Sequence, residues 1–185
     1  VVPVDRIERR EVEDWEGPRL PDWRRAVAGF LLGVIVIAAV AALIAALVPE
    51  RLAEMRRLIL ARPIHTLWLG FLALSAVIGA GVLFAITIIG LLFTPAMLLL
   101  AFLGGFAGYV VAAYAFGVGL LLAFGKSEPD SLGDRVIAAG VGAMVAGIIG
   151  LIPLLGWIFV LALVLSGLGA ITLRVIRPVF FSGAA

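Results

Sequence analysis

Charge and apolarity alternate along this chain in blocks, not residue by residue. Residues 1–25 are polar and hold six of the 14 basic and seven of the 12 acidic residues. Residues 26–48, Ala26 to Val48, then carry no charge. At about 1.5 Å per residue they make about 34 Å of helix, enough to cross the hydrocarbon of a bilayer. Pro49 ends that run. Within residues 49–65, Leu52, Met55, Leu58 and Ile59 recur at helical spacing opposite Arg51, Glu54, Arg56, Arg57 and Arg62. This amphipathic helix is too polar to cross and apolar enough to lie flat on the membrane.

Residues 66–124 contain no Asp, Glu, Lys or Arg. The stretch is nearly three times the ~20 residues of one span, so it folds back once. The break is predicted from Thr87 through Gly90 to Pro95, where Gly, Thr and Pro loosen a helix and Thr hydroxyls satisfy the freed carbonyls. One span therefore ends near Ile86 and the next begins near Pro95. Residues 125–135 form a short polar loop in which Ser131, with Asp134 three residues on, offers a helix cap. Residues 136–177 hold a second hairpin turning at Gly150, Pro153 and Gly156, and residues 178–185 a tail. That second uncharged run is short for two crossings, so a re-entrant pair stands beside the full hairpin as an alternative. Ile88-Ile89-Gly90-Leu91 and Ile148-Ile149-Gly150-Leu151 are identical. Duplication explains this, and so does coincidence in so Ile- and Leu-rich a chain. The fold class that follows is all-α: a polytopic transmembrane bundle of about five spans with one interfacial amphipathic helix.

Composition agrees. The chain is 64% hydrophobic and 14% charged, against about 45–50% and about 25% for soluble domains, so lipid has to serve as solvent. The absence of Cys removes disulfides and thiolate chemistry, and a single His leaves no imidazole cluster for zinc. Despite a net charge of +2, the basic residues flank apolar runs. They read as membrane orientation and snorkelling, not as a nucleic-acid surface.

In the polar segment, Asp5 and Glu8 fit a capping box for a short helix, which Gly17, Pro18 and Pro21 stop. Trp15 and Trp23, each after an Asp, suit headgroup depth. An amphipathic linker resting on the membrane and a partner-binding motif both fit. The chain opens on Val without a signal-peptide pattern, so an upstream extracytoplasmic segment is expected.

Orientation follows from the loops. Arg51, Arg56, Arg57 and Arg62, then Lys126 and Arg135, then Arg174 and Arg177 share one side of a five-span arrangement, and the opposite turns have no charge. The positive-inside rule puts that side and the C-terminus in the cytoplasm and the N-terminus outside. Arg24 and Arg25 argue the other way unless an upstream leader has already been translocated.

Candidate chemistry is sparse. Proton relays and ion pathways need ionisable groups within spans, where a charge costs at least about 2.5–3.5 kcal/mol, and none is present. Ser75 and Ser166 lack the base and the Gly spacing of a serine nucleophile, and hydroxyls in such helices usually bond their own carbonyls. His65, the lone imidazole, is an interfacial anchor beside Arg62; the sharper alternative is a haem or pigment ligand near Trp68. No other cofactor is expected. The informative pattern is small residues four apart, which lets helices approach closely in lipid. Gly29 and Gly33, Gly104 and Gly108, Ala139, Ala143 and Gly147, and Gly142, Ala146 and Gly150 are the candidate packing positions.

The order Ala61-Arg62-Pro63, Thr87-Ile88-Ile89-Gly90, Gly150-Leu151-Ile152-Pro153-Leu154-Leu155-Gly156 and Gly167-Leu168-Gly169-Ala170 resembles the membrane-spanning C-terminal region of bactofilin-like, polymer-forming cytoskeletal proteins of bacteria. A Pro that this family carries two residues after the first Gly is replaced here by Leu92. The resemblance implies a bacterial inner membrane, a β-rich segment upstream and an anchor or scaffold role, with no catalytic residues to transfer.

The function expected is a non-catalytic anchor, scaffold or accessory subunit of a larger membrane assembly, such as a respiratory or photosynthetic complex. Its partners would be lipid and other membrane subunits, or copies of itself. The first span would serve as docking arm and the two hairpins as a compact core. A small-solute transporter or channel, motivated by the broken hairpins, and an intramembrane enzyme are the alternatives.

Overall fold

The computed structural model describes residues 23–181. The Asp5 to Glu8 capping box, Trp15, the side chain of Arg177 and residues 182–185 lie outside what is described. The chain forms α1 (Trp23–Leu47), α2 (Pro49–Ala61), α3 (Pro63–Ala85), a single turn α4 (Ile88–Leu91), α5 (Thr94–Ala123), α6 (Leu132–Gly150) and α7 (Leu155–Phe181). Of these, α1, α3, α5, α6 and α7 are long and apolar enough to cross a membrane. The all-α bundle with five candidate spans is therefore the fold. Its last helix runs on through Pro178 to Phe181, into the stretch expected to be tail.

Two X-Pro steps set the corners around α2. Val48 and Arg62 each precede a proline and leave the helical region, with φ of −137° and −141° and ψ of 59° and 65°, because the proline ring disfavours helical backbone for the residue before it. Pro49 and Pro63 then open α2 and α3 at the first helical position, where the missing N–H costs nothing. Helix α5 ends at Gly125, whose φ of 79° lies in the left-handed region. The N–H of Gly125 donates to Leu122 O and that of Lys126 to Leu121 O, both at 3.0 Å, which is a Schellman closure. The cap expected at Ser131 is formed: its Oγ accepts from Asp134 N–H at 3.1 Å, and Asp134 Oδ2 accepts from Ser131 N–H at 3.3 Å.

The two hairpins interleave. Helix α7 packs between α3 and α5, its most extensive contact being with α3, while α6 packs between α5 and α1. The first span is thus not set apart from a hairpin core. It lies along α6, burying Val34, Ala41 and Ala45, because the small residues of α6 leave a groove for it. The interior is made mostly of Ala and Val, among them Val110, Ala115, Val118, Ala138, Ala146 and Ala170. The exterior carries Leu31, Ile35, Leu72, Leu99, Phe102 and Leu161. Small inside and large apolar outside reverses the order of a water-soluble core, and it suits a chain whose solvent is acyl chain.

Candidate functional site

Charge gathers at one end of the bundle, where α2 lies across the ends of α5 and α7. Leu52 and Ile59 of α2 point into the bundle, and Arg56 follows them in, 4% exposed. Its Nη2 donates to Glu128 Oε2 at 3.0 Å. Arg57, on the exposed side of the same helix, reaches that oxygen at 3.9 Å. A second bridge ties α7 to α2, with Arg174 Nη1 3.2 Å from Glu54 Oε2. By distance this is an ion pair, but the N–H is not aimed at the carboxylate and Nη1 makes no hydrogen bond. Arg56 therefore does not snorkel as an interfacial arginine would; the apolar stripe of α2 carries its stem inward, and Glu128 on the α5–α6 loop supplies the counter-charge.

Other polar positions are exposed or bonded within their own helix. Arg25, Arg51, Arg62 and His65 are exposed, Trp23 is 70% exposed, and the Arg24 guanidinium stands 5.7 Å over the Trp23 ring. Ser166 Oγ donates to Ala162 O at 2.7 Å, Thr172 Oγ1 to Leu168 O at 2.8 Å and Thr66 Oγ1 to Pro63 O at 2.9 Å. Each hydroxyl thus bonds a carbonyl of its own helix. No three His, Cys, Asp or Glu among the described residues group as metal ligands. Clefts along the spans are walled by apolar groups, as between α3 and α5 by Val77, Gly81, Met97 and Leu98.

The small-residue positions sort into seams. On α5 and α7, a Cβ at Gly108 would stand 2.7 Å from Val164 O, and one at Gly167 would overlap Gly108 O. On α5 and α6, Cβ atoms at Gly117 and Gly142 would overlap Ala138 O and Ala113 O. On α3 and α7, Gly70 faces Leu165 O and Gly169 faces Thr66 O at the same closeness. Ala139, Ala143 and Ala146 are buried on α6, and Gly147 receives Phe30 of α1, with Cε2 2.9 Å from where its Cβ would be. Among the described residues, Gly104 meets only the tip of Leu168 and Gly150 only Val160, while Gly29 and Gly33 have nothing within 4 Å.

The turn residues make local bonds. Thr87 Oγ1 donates to Phe84 O at 3.0 Å and accepts from Gly90 N–H at 2.9 Å, and Thr94 Oγ1 donates to Gly90 O at 3.2 Å. Pro95 sits in the first turn of α5. Between α6 and α7, Leu155 N–H donates to Pro153 O and Gly156 N–H to Ile152 O, each at 2.8 Å, across Leu154 with its φ of 66°. A Cβ at Gly156 would press on Gly150 O at 2.5 Å.

A family model matches residues 18–178, which takes in every helix but the last three residues of α7. The chain belongs to that family, a domain of unknown function, DUF8173. The DUF8173 match carries no link to bactofilins, and no curated protein and no solved structure matches the chain. In this DUF8173 member, the motifs behind the bactofilin resemblance fall at structural joints: the α2–α3 corner, the α4 turn, the α6–α7 turn and the α7 seam. DUF8173 here is a polytopic helical membrane fold.

Proposed function

We propose that this DUF8173 protein is a non-catalytic anchor or scaffold subunit of a larger assembly in the bacterial inner membrane. The contrast between the seams carries this reading. Gly70, Gly108, Gly117, Gly142, Gly167 and Gly169 are taken up in backbone contact within the chain, whereas Gly29 and Gly33 on α1 meet no other described residue and lie near exposed Leu32 and Val36. In lipid, a helix of a second protein gains from such an approach what it cannot gain from Leu against Leu. The Thr66, Ser166 and Thr172 hydroxyls bonded to carbonyls of their own helices, and spans whose middles carry no Asp, Glu, Lys, Arg or His, favour adhesion over catalysis or transport. The Arg-rich end, with α2, would face the cytoplasm by the positive-inside rule, and the resemblance to bactofilin-like C-terminal regions fits a tether for a segment upstream.

A cysteine-free chain makes the test direct. Single Cys at Leu32 or Val36, exposed residues that flank the two glycines, treated with a short cross-linker in native membranes, should give a discrete adduct whose partner mass spectrometry identifies. Cys at Leu161, on the outer face of α7, should not. Monomer alone at all three positions, with nothing co-purifying after gentle solubilisation, would sink the proposal.

A further inference from the structure

The corner between α2 and α3 holds a feature that the scaffold role does not use. A cleft of about 220 Å³ opens there between α2, α3 and α7, walled by Leu58, Ala61 and Leu173 and carrying Arg62, His65 and Thr66. It adjoins an open groove of about 470 Å³ formed by Pro63, Ile64 and Trp68, and Arg62 and His65 belong to both. The hydroxyl of Thr66 is already bound to Pro63 O and Arg62 O, so Arg62 and His65 supply the free side-chain polarity. Arg56, Arg57 and Arg174 each have a carboxylate within 4 Å; Arg62, among the described residues, has none. Helix α3 has no side-chain cap at Arg62, and its first intrahelical bond is made by Thr66 N–H to Arg62 O. The amides of Ile64 and His65 at the cleft rim are therefore without helical acceptors.

We infer that this corner binds the headgroup of an anionic phospholipid, with phosphate at Arg62 and His65 and the glycerol end of an acyl chain along Ile64 and Trp68. Charge complementarity selects the anion: an unpaired guanidinium, forked to match phosphate, beside uncapped amides. The groove selects a lipid over free phosphate, because Ile64 and Trp68 are 83% and 60% exposed where the polar cleft gives way to the apolar span. Basic pockets between helices at a membrane surface bind such headgroups. The inference rests on this end lying at headgroup depth and on nothing else in the scaffold reading.

Trp68 reports on the site. A variant keeping Trp68 alone, with Trp15, Trp23 and Trp157 changed to Phe, is reconstituted in phosphatidylcholine vesicles. Trace phosphatidylglycerol or phosphatidylcholine, spin-labelled near the glycerol end of one chain, is then added. Phosphatidylglycerol should quench Trp68 with about fivefold preference, the effect of one cation at a charged lipid surface. Arg62→Gln should remove the preference, and His65→Gln should reduce it. Equal quenching by the two lipids, or a preference that survives Arg62→Gln, overturns the site. Loss of the preference on adding inorganic phosphate overturns the lipid in favour of a free anion. A companion keeping Trp157 alone, at the far end, checks each variant: Trp157 should be quenched equally by both lipids, and if it is quenched by neither, the bilayer placement itself fails.

Discussion

Gly70 and Gly169 close the contact between α3 and α7 reciprocally: a Cβ built on either would lie 2.9 Å from the backbone nitrogen of the other. Neither neighbour is a side chain that could swing away, so one added methyl must push the helices apart. Gly70→Ala should cost about 2–3 kcal/mol, the upper end of the range for overpacking, despite the gain in helix propensity. Unfolding in mixed micelles of dodecyl sulfate measures it, and an unchanged midpoint would contradict the packing described.

Gly33→Ala reverses the sign. No described residue stands within 4 Å of where its Cβ would be, so the helix-propensity gain of up to about 1 kcal/mol is unopposed. In the same assay the isolated protein should be as stable as the parent or more so. In native membranes, a Cys at Leu32 should lose its cross-linked adduct in this variant, because the added methyl holds off the partner helix.

Glu128→Ala strips Arg56 of its carboxylate and leaves a 5% exposed guanidinium side chain without a counter-charge. A fully buried pair broken this way costs about 3–5 kcal/mol. Glu128 is itself half in water, so about 1–2 kcal/mol is expected here. Arg56→Met should recover most of the loss in the Glu128→Ala background. A double-mutant cycle checks the coupling, and additive effects would show that the pair contributes nothing.

Leu154 holds a left-handed φ of 66° with its side chain 75% exposed. That region costs a residue with a Cβ about 1–2 kcal/mol, and the exposed side chain offsets little of it through packing. Leu154→Gly should therefore stabilise the α6–α7 turn by about 1 kcal/mol, read from the unfolding midpoint, with Ile152→Gly as a control that does not.

The spans, the corners at Pro49 and Pro63, and the cap at Ser131 were legible because each rests on local rules: run length, X-Pro sterics and a three-residue spacing. The seams were legible in part. Gly108, Gly142 and Gly147 are in close contact, yet Gly70 and Gly117 escaped notice, and Gly167 and Gly169 stood out as a family motif and not as a packing seam. Thr66 with Gly70, and Ala113 with Gly117, stand four apart, so the signal existed; in a chain of 22 Gly it did not stand out. Which face of a helix meets another depends on interleaving, and no local pattern says that α7 enters between α3 and α5. For the same reason Gly29 and Gly33, with the spacing of a packing pair, meet nothing among the described residues, and Arg56 could not be told from its neighbours as the arginine that turns inward.

Helices α5 and α6 differ in length, at 30 and 19 residues, and they are packed side by side. At about 1.5 Å per residue they measure about 45 and 28 Å, so no single bilayer thickness suits both. Either α5 leans over or the leaflets pinch around α6, and each response has a small energetic cost that varies with lipid tail length. Membrane thickness thereby becomes a variable to which this fold is sensitive.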